Sequence, residues 1–310
     1  MSSHPIHHAI QPLSIRYAMS EKVVSDEAVT PPPPLSSRLP WLRTELRNAS
    51  RLLVCLDFDG TLAPIVDDPD AAAPTEANQR ALDSLAEVPP VSTAVVSGRS
   101  LTDVRSRVQG PDVYAGNHGL ELERDGTVSV HPVARKRAES IDEVCAALET
   151  VLEPIPNCRV ENKRLTATVH VRSVPPVGRD IVFQRVTEIV ARFGDDALSL
   201  STGKAVIEVS PAVPWGKGDA VELIEADCPP ETFVLYLGDD TTDESAFRAV
   251  QSGGLGVHVG AGRDTAAAAG LESPAAVAPF LDWLAETGVR LVAGQARPSR
   301  ERAVALAPGQ

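Results

Sequence analysis

The chain has 310 residues, of which 43% are hydrophobic, and 42 Asp and Glu against 29 Lys and Arg give a formal net charge of -13. That length can bury one large or two modest cores, and no uninterrupted apolar run is long enough for a membrane span. The acidic balance argues against nucleic acid, whose non-specific binding rests on clustered Lys and Arg, and favours a small-molecule partner.

Residues 1–45 show no sustained periodicity and contain TPPPPLSS, a run expected to be extended, solvated and disordered. Met19 is an alternative start to Met1, and His4, His7 and His8 in this tail are assigned no role. From residue 50, RLLVCLDF reads as a buried strand and EANQRALDSLAEV as an amphipathic helix. VSTAVVSG reads as a second apolar strand and SLTDVRSRV as a helix capped by Ser100. The middle reads differently. AESIDEVCAALETVL and DIVFQRVTEIVARFG are helical, whereas RVENKRLTATVHVRS and LSLSTGKAVIEVSP alternate like half-exposed hairpins. This α-ββ-α-ββ pattern predicts a small α+β domain at 128–213, inserted into an α/β core of 46–127 and 214–290. TFVLYLGDD is another apolar strand ending in acids, followed by the helix TDESAFRAV, the short strand GLGVHVG and, from 291, a C-terminal tail. Such units build a parallel sheet that binds ligands at the carboxyl ends of its strands.

The four cysteines, Cys55, Cys145, Cys158 and Cys228, lack CxxC spacing, and no basic stretch followed by an apolar one marks a secretory signal. A reduced, cytoplasmic setting is expected, with Cys55 a small packed hydrophobe.

The chemistry gathers at strand ends. The stretch LLVCLDFDGT delivers Asp57 and Asp59 to the sheet edge, with Gly60 permitting a turn and Thr61 offering a hydroxyl and a helix cap. Asp239 and Asp240, with Asp243 one turn later, add further hard oxygen ligands. Crowded carboxylates need a cation, and this composition suits Mg²⁺ better than zinc. Mg²⁺ held by few carboxylates is the usual arrangement for phosphoryl transfer, in which an aspartate can serve as nucleophile. Ser97 can bond a phosphate oxygen, Gly98 leaves backbone N–H groups available, and Lys217 in WGKGDAV supplies a point charge. Asp67, Asp68 and Asp70 read as turn or helix-start residues.

The order Asp57-Phe-Asp59-Gly-Thr61, Ser97, Lys217, Gly-Asp239-Asp240-x-x-Asp243 resembles the four motifs of the haloacid dehalogenase (HAD) superfamily of phosphatases. Within it, DFDGTLAPIVDDPD, VVSGR, AGNHGLEL, GKAVIEVSP, WGKGDA and LGDDTTDESAF are similar to the trehalose-6-phosphate phosphatase family over about 50–288. The resemblance implies a Rossmann-like core with a parallel sheet and an inserted α+β cap of the C2 type. It also implies a Mg²⁺-dependent hydrolase acting in trehalose biosynthesis through an aspartyl-phosphate, without a stable protein partner. Asp57 would be the nucleophile and Asp59 the acid and base. Asp57, the backbone carbonyl of Asp59 and Asp239 would hold Mg²⁺, supported by Asp240 and Asp243.

The resemblance places sugar contacts at Glu161 and Lys163 in RVENKRL and at Lys204 and Glu208 in TGKAVIEV, with Arg99, Asn117 and His118 as candidates from the core side. Four of these have a simpler reading. His118 can hold a turn, and Lys163, Lys204 and Glu208 can form exposed cross-strand charge pairs. With 4% aromatic residues, stacking platforms are few and selectivity rests on hydrogen bonds. The alternatives are a capped phosphatase for sucrose phosphate or mannosylphosphoglycerate, or a non-catalytic sugar-phosphate binder. The binder would be expected to lack one of the acids or Lys217, and all are present.

Overall fold

The computed structural model of the protein describes residues 31–194, 196–203 and 205–293. Among these no helix is long and apolar enough to cross a membrane.

The first unit opens with α1 (Leu35–Asn48), β1 (Arg51–Leu56), α2 (Glu76–Ala86), β2 (Val91–Val96), α3 (Leu101–Arg107) and β3 (Val113–Gly116). The antiparallel strands β4 (Glu121–Arg124) and β5 (Thr127–Val130) follow. The second unit holds α4 (Pro132–Leu152), β6 (Arg159–Asn162), β7 (Ala167–His170), α5 (Pro176–Phe193), β8 (Leu198–Gly203) and β9 (Val206–Pro211). The chain then returns through α6 (Lys217–Glu225), β10 (Thr232–Gly238), α7 (Glu244–Ala249), β11 (Gly254–Val259), β12 (Ala269–Leu271), α8 (Val277–Trp283) and α9 (Val289–Ala293).

The large sheet runs β12-β11-β10-β1-β2-β3-β4-β5, parallel from β12 to β3. β1 lies at its centre with Leu52 to Leu56 all buried, as expected of a parallel strand covered on both faces. Leu52, Val54 and Leu56 enter the core on one face, and Leu53 and Cys55 enter the core on the other. Burial also pushes the Cys55 thiol up, in keeping with a packed side chain. Ser100 caps α3 by accepting the Asp103 N–H at 3.2 Å, as the sequence predicts.

The insert forms an antiparallel sheet, β6-β7-β9-β8, backed by α4 and α5. Strand alternation sorts its faces. Ala167, Val169, Ile207 and Val209 pack on Ile141, Val144, Val182 and Val186. On the opposite face Glu161, Thr168, Glu208 and Ser201 stand in one cross-strand row.

Four boundaries differ from the sequence reading. The tail expected through residue 45 includes α1, whose Leu35, Leu42 and Leu46 join the main core, while Gly270 N–H donates to the Pro33 carbonyl beside β12. Pro40 inside that helix masks its pattern, and its partners lie at the far end of the chain. β5 pairs with the large sheet, so the insert begins at α4 rather than at 128. The helix α9 carries ordered chain past 291, with Val292 buried. Thr61 starts no helix, because Thr75 is the residue that caps α2.

Candidate active site

β1 and β10 are neighbours, so their carboxyl ends deliver Asp57 and Asp239 side by side, and Asp57 N–H donates to the Leu237 carbonyl at 2.9 Å. The chain turns back at Gly60, with φ +81°, and a Cβ there would lie 2.2 Å from the Asp239 carboxylate. Only glycine accommodates both the conformation and the approach. Carboxylate oxygens of Asp57, Asp239 and Asp243 lie within 4.8 Å of one another.

Lys217, the first residue of α6, is buried among them. Its Nζ stands 2.9 Å from Asp57 Oδ1 and 2.7 Å from Asp243 Oδ1. Asp243 is also held by the Tyr236 hydroxyl at 2.6 Å and by the Asp240 N–H at 2.8 Å. Burial works against the ammonium, but Asp243 and Asp57 outweigh it and raise the Lys217 pKa. Burial also opposes the Asp243 carboxylate, yet Lys217 and Tyr236 hold its pKa below the usual range. Asp57 is pushed well above that range by burial, with Asp243 and Asp239 adding to it and Lys217 only partly offsetting it. Two carboxylates, Asp57 and Asp243, thus converge on one ammonium with Asp239 beside them, and the hard-oxygen donor set of the three acids fits a divalent cation.

The other expected ligands sit differently. Asp240 caps the turn Thr241–Asp243 by accepting the Thr241 N–H at 2.6 Å, and Arg263 lies 3.9 Å from it. The Asp59 carboxylate is paired with Arg99 through two bonds of 2.7 and 2.8 Å. Ser97 directly follows β2 and is buried, with its Oγ accepting the Arg99 N–H at 3.2 Å.

A cleft of about 710 Å³ separates this cluster from the polar face of the small sheet, and Asp57, Asp59, Lys217, Glu161, Lys163 and Glu208 all line it. Glu161 Oε2 is 2.7 Å from His170 Nε2. Glu208 is 3.6 Å from His118. Burial would raise Glu208, but His118, Lys163 and Lys217 hold it down at about 2. Lys163 Nζ donates to the Gly98 carbonyl at 3.0 Å, linking the small sheet to the loop after β2. Lys204 lies outside the described residues.

Asn117 is at a junction between its turn and the small sheet. Its Nδ2 donates to Glu121 Oε1 and the Lys163 carbonyl, and its Oδ1 accepts the Thr166 hydroxyl at 2.5 Å. Asn117, His118 and Gly119 all have positive φ, and this network holds the resulting strained turn beside the cleft. At the far rim, Arg159 pairs with Asp70 at 2.7 Å and Arg172 lies 3.6 Å from Asp67, so the acids read as turn residues dock the small sheet.

Sequence reasoning missed Tyr236, Arg159, His170 and Arg172. His170 and Arg172 follow Thr168 at alternate positions, so the period-two pattern that singled out Glu208 could have found them. Tyr236 carried no such signal, because it sits in an apolar strand.

The arrangement defines an α/β core whose acidic strand-end site lies beneath an inserted sheet. The profile of the trehalose-phosphatase family matches residues 55–274. The trehalose-phosphate phosphatase of Mycobacterium marinum is 41% identical over 245 residues, covering 76% of this chain and 62% of that protein. Among solved structures, a trehalose-6-phosphate phosphatase related protein superposes with a TM-score of 0.68 at 25% identity, covering 77% of this chain and 99% of that one. The C-terminal domain of the Candida albicans trehalose-6-phosphate phosphatase gives a TM-score of 0.67 at 25% identity, covering 83% and 99%. The chain belongs to the trehalose-phosphatase family. It spans 62% of the length of the Mycobacterium marinum relative.

Proposed function

We propose that the protein hydrolyses trehalose 6-phosphate to trehalose and inorganic phosphate, with Mg²⁺ as cofactor. The observation that carries this reading is the buried Lys217 ammonium joining Asp57 to Asp243, beside Asp239 and beneath a cross-strand row of polar side chains. The Mycobacterium marinum relative is named a trehalose-phosphate phosphatase, which supports the substrate reading.

Asp57, Asp239 and Asp243, with the Asp59 carbonyl that the family resemblance adds, would hold the ion. When bound, Mg²⁺ supplies positive charge that offsets the carboxylates and polarises phosphoryl oxygens. Asp57 Oδ1 accepts from the Phe58 N–H at 2.7 Å and faces Lys217, which leaves Oδ2 to attack phosphorus. The Oδ2–P bond forms as the bond from phosphorus to the sugar oxygen breaks, and Asp59 protonates that oxygen. Asp59 then takes a proton from the water that attacks the aspartyl-phosphate, which releases phosphate and restores Asp57. Lys217 and Ser97 neutralise and orient phosphoryl oxygens throughout. Residues 132–211 act as a cap whose Glu161, Thr168, Glu208 and Ser201 bond the sugar hydroxyls.

Phosphate release from trehalose 6-phosphate, sucrose 6-phosphate, glucose 6-phosphate and an aryl phosphate, with Mg²⁺ and with EDTA, tests the reading. A Mg²⁺-dependent preference for trehalose 6-phosphate is expected. Preference for another sugar phosphate would refute the substrate while keeping the core chemistry. No release from any of them would refute catalysis.

A further inference from the structure

We propose that Arg99 is the residue that positions Asp59, so that it acts on the reaction through that carboxylate rather than through the sugar. The inference deepens the phosphatase reading above and rests on it. Arg99 Nε and Nη2 donate to Asp59 Oδ2 and Oδ1 at 2.7 and 2.8 Å. This two-pronged geometry fixes the plane of the carboxylate as well as its place, which a single point charge cannot do.

The guanidinium is anchored from behind. Nη1 donates to Asp103 Oδ2 at 2.8 Å, Nη2 donates to the Pro69 carbonyl at 2.9 Å, and Cζ lies 5.0 Å from the centre of the Phe58 ring. Asp103 is held in turn by Arg107 Nε at 2.8 Å, and Arg107 reaches the Asp70 and Ala72 carbonyls. Asp59, Arg99, Asp103 and Arg107 therefore form a chain of alternating charge that leads from the cleft into α3. The backbone of Arg99 is tied as well, through its N–H to Ser97 Oγ and through its carbonyl to the Asn117 N–H. The Arg99 side chain is 12% exposed and that of Asp59 37%, so the buried partner is the anchor and the exposed partner faces the cleft.

Asp59 is about a third exposed, so solvent screening and the cost of burying the Arg99 guanidinium limit what the pair adds to stability, and the fold alone gives small reason for such a tether. Proton transfer gives a stronger one, because the transferring oxygen has to lie within hydrogen-bond reach of the sugar oxygen and then of the water. A protonated carboxyl still accepts one Arg99 N–H at its carbonyl oxygen, so the tether persists in both halves of the cycle.

Arg99→Lys keeps the charge and loses the fork. The measurement is kcat/KM, which reports the first phosphoryl transfer, for trehalose 6-phosphate and for p-nitrophenyl phosphate. The sugar oxygen leaves only with a proton and the aryl oxide needs none. The expected result is a fall of about 10- to 100-fold for the sugar phosphate and of less than about threefold for the aryl phosphate. Asp103→Asn loosens the anchor without touching Asp59 and is expected to show the same selectivity to a smaller degree. It carries the test if thermal unfolding shows Arg99→Lys to be misfolded. Equal losses on the two substrates would overturn the assignment of Arg99 while leaving the phosphatase reading intact. Wild-type protein inactive on both substrates would overturn that reading and the inference with it.

Discussion

Replacing Asp57 by Asn should separate stability from function in opposite directions. In metal-free protein the Asp57 carboxylate stands within 4.8 Å of those of Asp239 and Asp243. At an effective dielectric of about 20 each repulsion is at least about 3.5 kcal/mol. The attraction to Lys217 across 2.9 Å is about 5.7 kcal/mol on the same basis. Repulsion therefore exceeds attraction by about 1 kcal/mol before the desolvation of a buried carboxylate is added, in agreement with its raised pKa. An amide removes the charge and keeps an oxygen for the Phe58 N–H. Asp57→Asn is expected to stabilise the metal-free fold by about 1–3 kcal/mol, a rise in Tm of about 3–10 °C. Mg²⁺ should raise the Tm of the wild type and do so much less for the variant, which has lost a ligand and all turnover. Thermal unfolding in EDTA and in millimolar Mg²⁺, beside phosphate release, reads every part of this. A variant less stable than wild type in EDTA would refute the electrostatic reasoning.

The acid limb of stability gives a second prediction. Because the folded Glu208 pKa is lowered from 4.5 to about 2, its contribution is present above pH 4.5 and fades as the pH falls toward 2, up to about 3 kcal/mol in all. Glu208→Gln should flatten urea midpoints measured between pH 6 and pH 3, and an unchanged acid limb would count against the His118 and lysine environment as the cause. The rim contacts give a third. Asp70→Arg should raise KM for the sugar phosphate by a few-fold, in line with an exposed pair worth at most about 1 kcal/mol, and Arg159→Asp in the same chain should restore it. No restoration by the paired reversal would remove the Arg159–Asp70 contact from cap docking.

Much of the core was legible because its signals are local. β1, β2 and β10 are apolar runs that stop at Asp57, Ser97 and Asp239, and a strand's alternation and burial follow from its own backbone geometry. The same alternation placed Glu161 and Glu208 on the polar face of the insert. Partner choice was not legible. Arg99 and Asn117 both looked like candidate sugar ligands, and nothing local marks the bond of the first to Asp59, 40 residues away, or of the second to Thr166, 49 residues away. Asp70 looked like a turn residue and meets Arg159 across 89 residues. The helix α1 was hidden for the same reason, since Pro40 blurs its period and its packing surface comes from the opposite end of the chain.

The sequence by itself determined which side chains stand at strand ends, because hydrophobic period and the residues that break it are properties of neighbouring positions. Only the tertiary structure decided which donor meets which carboxylate. A guanidinium or an amide carries no mark of its partner, and the pairing is settled when crossovers between strands bring distant loops to one edge of the sheet.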